Sequence, residues 1–338
     1  MTLVDAYLVV DWSARSRPSP TRPARDAVWV GERGPDGSCE TYCRTRAAAT
    51  AHVRLRLRDL VARGLRVLVG FDVPYGYPAG FAACLGLDGQ APWRAVWDLL
   101  AERIADTAAN ENNRFAVAAE LNREVGGGPG PFWGCPPSRA SPSLPSGRSG
   151  LFTFPFPARA AMLERLRLTE KRMPGVQEAW KLSGAGSVGS QALLGIPRVR
   201  DLRDDPVLAP VSAVWPFETG FAPGPVPDRG PFVLHVEIWP GIVEAATVAA
   251  EMERTRAIPD QAQVRLMCEW AHAQDRDGAL GAWLDATSLS DGERRAAVEE
   301  EGWILGCPAQ GGGEGRLRRI RVRFPRHGTL CSPPAAIH

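Results

Sequence analysis

The sequence predicts a mixed α/β fold. Three apolar runs, AYLVVD at 6–11, RVLVGF at 66–71 and FVLHVEI at 232–238, have the length and branched content of buried strands. Segments with apolar residues at helical spacing lie between and after them. A turn signal, Gly34-Pro35-Asp36-Gly37, separates two further strand candidates that follow the first run.

Residues 6–11 form the first expected strand, and Pro18, Pro20 and Pro23 make the loop after it. Strands are expected at 27–32 (AVWVGE) and 38–44 (SCETYCR), so the chain opens as an antiparallel meander. Residues 47–63 contain no Pro or Gly, place Val53, Leu57, Leu60 and Val61 at helical spacing, and stop at Gly64. The strand at 66–71 runs into Asp72, after which Pro74, Gly76, Pro78 and Gly80 break the chain. Helices are expected at 93–106, 112–125 and 159–169. Residues 126–157, rich in Gly, Pro and Ser, read as a long surface loop. The compact run KLSGAGSVGSQALLGIP fills 181–197, residues 201–210 are polar and loop-like, and 211–217 are a candidate strand. After 232–238, helices are expected at 242–254, 260–285 and 290–301, the last opened by a capping box at Ser290 and Glu293. Residues 311–313 read as a linker. Beyond them Ile320, Val322 and Phe324 alternate with Arg319, Arg321 and Arg323, the pattern of a basic edge strand.

Three strands, a helix, a strand, an inserted region, a strand and a helix follow one another in the order of a ribonuclease H-like core. The predicted fold is therefore a ribonuclease H-like mixed sheet flanked by helices, with a large insertion. Residues 1–310 are expected to form one domain elaborated at about 78–230, with 311–338 as a basic strand and tail. A division near Pro225 is the alternative for 338 residues.

Composition excludes several classes. A hydrophobic fraction of 44 % and a charged fraction of 23 % are ordinary for a protein with a sizeable core. A formal net charge of +2 neither demands nor excludes a polyanionic partner, so nucleic-acid contact would need a local patch. The seven cysteines are odd in number and include no CxxC pair, which argues against a disulfide framework and a cysteine zinc site. No basic segment followed by an apolar core opens the chain, and no uncharged apolar run approaches the ~20 residues that span a bilayer. The expected compartment is the cytoplasm, without a membrane partner.

The chemistry is expected at strand ends. Asp11, Asp72 and Glu237 each close one of the three most apolar strands. In open α/β sheets ligands bind beyond the carboxyl ends of the strands. A buried carboxylate is costly unless paired, hydrogen-bonded or bound to a cation, so three at strand ends point to a shared hard ion such as Mg²⁺ or Mn²⁺. The plainer alternative is that each acid caps a following helix. A fourth candidate is Asp277: on a helix it shares a face with Trp270, Ala273, Leu280 and Leu284, which would turn it against the sheet, while Asp275 points elsewhere, nearer His272.

VDWSA (10–14), GFDVPYGYP (70–78), GAGSVGSQALLGIP (184–197), WPFETG (215–220), HVEIWP (235–240) and DRDGAL (275–280) together resemble the DUF429-type family of predicted ribonuclease H-like proteins, over about residues 5–306. The resemblance implies a ribonuclease H-like fold with a nuclease-type site. The family's first-strand aspartate falls on Asp11, its aspartate in a D-x-P-x-G turn on Asp72, its glutamate before a proline on Glu237, and its late helical aspartate on Asp277. Gly278 intrudes after the last of these, a departure from the family's run.

Carboxylates that share divalent ions suit phosphoryl transfer. Lys181, Arg167 and Arg114 are the candidate phosphate holders within the insertion, and Ser187 or Ser190 could cap the helix that begins SQALL, next to Gln191. The glycine-rich run lacks the GK[ST] of a Walker loop, and a tight packing turn is its equal alternative. The basic stripe at 319–323 could contact a nucleic-acid backbone, although charge on an edge strand also guards against aggregation. Trp12 and Trp239 flank acids and could stack on a base. His235 and Glu237 face the same way on a strand, which permits a His–carboxylate or ligand pair; the simpler reading is a packed core histidine. No HExxH or GxSxG motif occurs. The expected activity is a metal-dependent nuclease or phosphodiesterase with a nucleic-acid or phosphate-containing substrate. The competing classes are a phosphotransferase on the same fold, which would need a glycine-rich turn after Asp11 that is missing here, and a non-catalytic binding protein.

Overall fold

The computed structural model describes residues 2–87, 89, 91–184, 187–285 and 288–308. Its strands are β1 (Ala6–Asp11), β2 (Val28–Gly34), β3 (Gly37–Cys43), β4 (Arg66–Phe71), β5 (Phe156–Pro157), β6 (Met162–Leu163), β7 (Ser212–Val214) and β8 (Phe232–Glu237). Its helices are α1 (Arg46–Ala62), α2 (Phe81–Cys84), α3 (Pro92–Arg103), α4 (Arg114–Gly126), α5 (Leu168–Arg172), α6 (Gly189–Arg203), α7 (Ala245–Thr255), α8 (Pro259–Arg276), α9 (Leu280–Leu284) and α10 (Asp291–Ala296). Six strands form one mixed sheet in the order β3-β2-β1-β4-β8-β7. β1, β2 and β3 are antiparallel, while β4 runs parallel to β1 and both β4 and β7 run parallel to β8.

Strand alternation divides the sheet side chains between two cores. Leu8, Val10, Val69, Phe71 and Val233 face one core, shared with α1, α3, α4 and α6. Tyr7, Val9, Leu68, Leu234 and Val236 face the other, shared with α8. α8 crosses β2 so closely that a Cβ on Gly31 would lie 2.9 Å from the backbone carbon and oxygen of Val264.

The meander, α1, β4, β8 and the capping box at Ser290 and Glu293 occur close to where they were expected. Other segments differ for local reasons. The expected helix at 159–169 is replaced by a hairpin, because Ala158 N donates to Ala161 O at 3.1 Å and β5 then pairs with β6; only α5 is helical. Residues 126–157 are not simply a surface loop. Phe132, Cys135 and Leu144 are buried there, and the Asn122 carboxamide satisfies Phe132 N, Phe132 O and Ser143 O in place of a ladder. α6 runs through Pro197 into the expected loop, drawn on by Val199 and Leu202, which are fully buried. The expected helix at 260–285 stops at Asp277, and Gly278 turns it with φ +73° before α9. The expected strand at 319–324 and the tail lie outside the described residues. Among the described residues no helix is long and apolar enough to cross a membrane.

Because the nearest atoms to Gly31 are backbone, the helix rather than a side chain must give way. Gly31→Val is expected to destabilise the fold by about 2–3 kcal/mol in urea unfolding.

Candidate functional site

Val10 pairs with Phe71, and Asp72 N donates to Val10 O at 2.9 Å. Asp11 and Asp72 therefore sit side by side where adjacent parallel strands end, about 4.8 Å apart across the ladder. Since Val10 and Phe71 face the α1 core, the two aspartates face the side of α8. Both side chains are half-buried. Neither carboxylate accepts a hydrogen bond from any described residue. Burial, then the neighbouring charges of Asp72, Asp260 and Asp26, hold the Asp11 carboxyl well above the ordinary range. Asp72 is pushed up to about 7 by burial and then by Glu237.

A third acid on that side was missed in the sequence. Asp260 stands in the first turn of α8, directly after Pro259, and accepts Asp26 N at 2.7 Å. Burial raises its pKa, and the hydrogen bond from Asp26 N offsets part of that rise. A proline followed by an acid is an ordinary helix-start signal, so Asp260 reads in sequence as a helix-stabilising residue rather than a site residue.

Glu237 does not join the pair. It is in register with Phe71 rather than with Asp72, so its side chain leaves the opposite face of the sheet. There the fully buried Arg167 grips it, Nη1 to Oε2 at 2.8 Å and Nη2 to Oε1 at 2.6 Å, while Tyr75 N donates to Oε2 at 2.9 Å. Arg167 also donates to Glu170 Oε1 at 2.8 Å and to Glu301 O at 2.8 Å. Burial alone would lower its pKa, and the Glu237 and Glu170 carboxylates more than reverse that. Arg167 is thus a structural ion-pair partner, which corrects its reading as a substrate-binding residue.

Asp277 also falls away. It caps the C-terminal end of α8, exposed, with Arg276 holding its carboxyl below the usual range. α8 has 18 residues, so that end lies about 25 Å from Asp260. The inward acid is Asp275, which accepts Leu3 N, Val4 N and the Tyr7 hydroxyl at 2.7, 3.0 and 2.6 Å at the start of β1, away from the Asp11 end. Among the described residues no group of three His, Cys, Asp or Glu side chains is arranged to hold a metal ion, so the expected four-carboxylate set does not form.

The first turn of α6 lies at the same edge as Asp11. Gln191 Nε2 donates to Trp12 O at 2.7 Å. Neither Ser187 nor Ser190 caps the helix; Val188 occupies the cap without a side-chain bond, and Ser187 N donates to Gly184 O at 3.2 Å. Ser190 instead donates to Leu182 O at 2.5 Å and accepts Arg114 Nε at 2.8 Å. Gly189 N donates to Lys181 O at 2.9 Å, and a Cβ there would lie 2.4 Å from Ala179 O, so this part of the glycine-rich run is a packing turn. Lys181 Nζ stands 5.7 Å from the centre of the Trp133 ring. Gly186 lies outside the described residues. Trp12 is buried edge-on against Phe71 and cannot stack on a base, whereas Trp239 is half-buried. His235 is fully buried, makes no bond to Glu237, and is held neutral by burial at a pKa of about 3.

No family model, curated protein or solved structure matches the chain.

Two outcomes follow from these charges. Arg167→Met leaves Glu237 and Glu170 buried without a counter-charge and is expected to cost about 3–5 kcal/mol in urea unfolding. Asp72 behaves in the opposite sense. Unfolded, it titrates near 3.8; folded, at about 7. The folded state keeps the proton longer, so the stability this group confers at low pH is lost as pH rises from about 4 to 7. Asp72→Asn should therefore raise the melting temperature of metal-free protein by about 5 °C at pH 8 and by almost nothing at pH 4, as calorimetry would record.

Proposed function

We propose that the chain is a metal-dependent phosphodiesterase or nuclease built on a ribonuclease H-like fold, with Asp11 and Asp72 as its cation-binding pair. The carrying observation is that two adjacent acids at the ends of parallel strands have neither a hydrogen bond nor a salt bridge from any described residue. Carboxylates in this state cost free energy that a hard cation would return. Two carboxylate oxygen donors suit Mg²⁺ or Mn²⁺, which commonly take one or two protein carboxylates and complete their shell with water and phosphate. When bound, the ion would neutralise charge on a phosphoryl group. Asp260 adds negative charge beside the pair. Glu237, neutralised by Arg167, anchors the end of β8.

The fold reading draws support from topology. An antiparallel three-strand meander continued by parallel strands, β3-β2-β1-β4-β8, with its first acid at the end of β1, is the ribonuclease H-like order. The phosphotransferase alternative draws less support, because the chain between β1 and β2 has no glycine to shape a phosphate turn.

Mn²⁺ titration by calorimetry tests the reading. Wild type is expected to bind with a dissociation constant of about 1 mM or below, Asp11→Asn with Asp72→Asn to lose binding, and Asp277→Asn to keep it. Affinity should rise between pH 6 and pH 8, because Asp72 must lose its proton first. Mn²⁺-dependent hydrolysis of a diester such as bis(p-nitrophenyl) phosphate should follow the same variants. Wild type that neither binds Mn²⁺ nor cleaves diesters would leave a non-catalytic binding protein as the better reading.

A further inference from the structure

A second charged centre lies on the other side of the loop that leaves β1. Arg114, the first residue of α4, is 8 % exposed. Its Nε donates to Ser190 Oγ at 2.8 Å, and its Nη1 donates to Ser16 Oγ at 3.0 Å and Asn112 Oδ1 at 2.7 Å. All three acceptors are neutral, and no described carboxylate lies within salt-bridge distance. Its Nη2 donates to no described residue.

The surroundings add positive charge. Arg46, fully buried, donates to Asp106 through Nε and Nη2 at 2.9 and 2.5 Å and to Ser13 O and Arg15 O through Nη1. Arg198 shares the same Asp106 at 3.1 Å. Arg46, Arg114 and Arg198 therefore face a single carboxylate. Burial, and then the charge of Arg46, lower the pKa of Arg114 to about 10, against a partial opposing pull from Asp106. Arg15, Arg17 and Arg139 are exposed nearby in sequence or space, none in a salt bridge with a described residue. A buried guanidinium without a counter-ion is unfavourable unless an anion completes it.

We propose that Arg114, with Ser16 and the first turn of α6 at Ser190, forms a binding site for a phosphate-type oxyanion. The two N–H donors of Nη2 are left for phosphate oxygens, and the start of α6 adds a favourable dipole. Ser16 stands on the loop that leaves β1 after Asp11, and the identification of this oxyanion as a phosphate of the substrate is taken from the class proposed above. In that respect it rests on the phosphodiesterase reading, but anion binding itself does not.

The test is made without metal, in EDTA, at constant ionic strength. Inorganic phosphate and, separately, a short thymidine oligonucleotide are titrated by calorimetry into wild type, Arg114→Gln and Arg114→Lys. The expected result is binding by wild type, weakened about 10-fold or more in Arg114→Gln and by less in Arg114→Lys. If only the oligonucleotide binds, the oxyanion is a diester strand; if phosphate binds as well, a terminal or free phosphate suffices. Should Arg114→Gln fail to fold, the Nε–H resonance of Arg114 in wild type must shift on phosphate addition. No binding of either anion at 20 mM (~20 times a 1 mM dissociation constant), an unmoved Nε–H resonance, or undiminished binding by folded Arg114→Gln would overturn the site. Loss of Mn²⁺-dependent hydrolysis with anion binding intact would fall on the phosphodiesterase reading alone.

Discussion

Residues at equal depth in adjacent parallel strands point to the same face, so the register of β1, β4 and β8 decides which acids can meet. Val10 is level with Phe71, and Phe71 is level with Glu237. One step further along, Asp11 and Asp72 emerge together towards α8, while the position level with them on β8 is Ile238, buried in the α8-side core. A shift of β8 by one residue would bring a third carboxylate to the pair and remove the partner of Arg167. The whole charge arrangement at this edge rests on that register.

The consequence is a division of labour among acids of similar sequence context. Glu237 is closed off by Arg167, which also binds Glu170 and the carbonyl of Glu301 and so ties β8, α5 and the chain after α10 together. Glu301 reinforces the knot by accepting Ala79 N and Leu168 N at 3.0 and 2.6 Å. Removing any one partner would strand a buried charge, so this cluster gives rigidity and has no free valence for a ligand. Asp11 and Asp72 have no such partner, which raises their proton affinity. Rigidity on one face and unsatisfied charge on the other is a common arrangement where binding energy is held ready for a ligand.

Much of the fold was legible because its signals are local. Apolar runs at 6–11, 66–71 and 232–238, the turn at Pro35-Asp36 and the capping box at Ser290 each carry their own explanation. Asp11 and Asp72 were legible for the same reason, since each follows an unmistakable strand. Glu237 was misread because its side depends on inter-strand register, which no single segment encodes. Asp277 was misread because the helix face was assigned through Gly278, where the chain leaves the helix, so the inward position belongs to Asp275. Asp260 was passed over because acids in first turns are usually explained by the helix alone. Arg167 and Arg114 looked alike in sequence; only the fold gives one two carboxylates and the other none.

The two unsatisfied centres have opposite sign and share the loop that leaves β1. Asp11, Asp72 and Asp260 gather negative charge on the α8 side, and Arg46, Arg114 and Arg198 gather positive charge around Asp106 and the start of α6. They are not neutralised by pairing with each other in the structure. A cation alone would satisfy the first centre and an anion alone the second. The charges that act on Asp11 are those of Asp72, Asp260 and Asp26, and those that act on Arg114 are Arg46, Asp106 and Arg139, so neither centre screens the other and each keeps its own demand for a counter-ion.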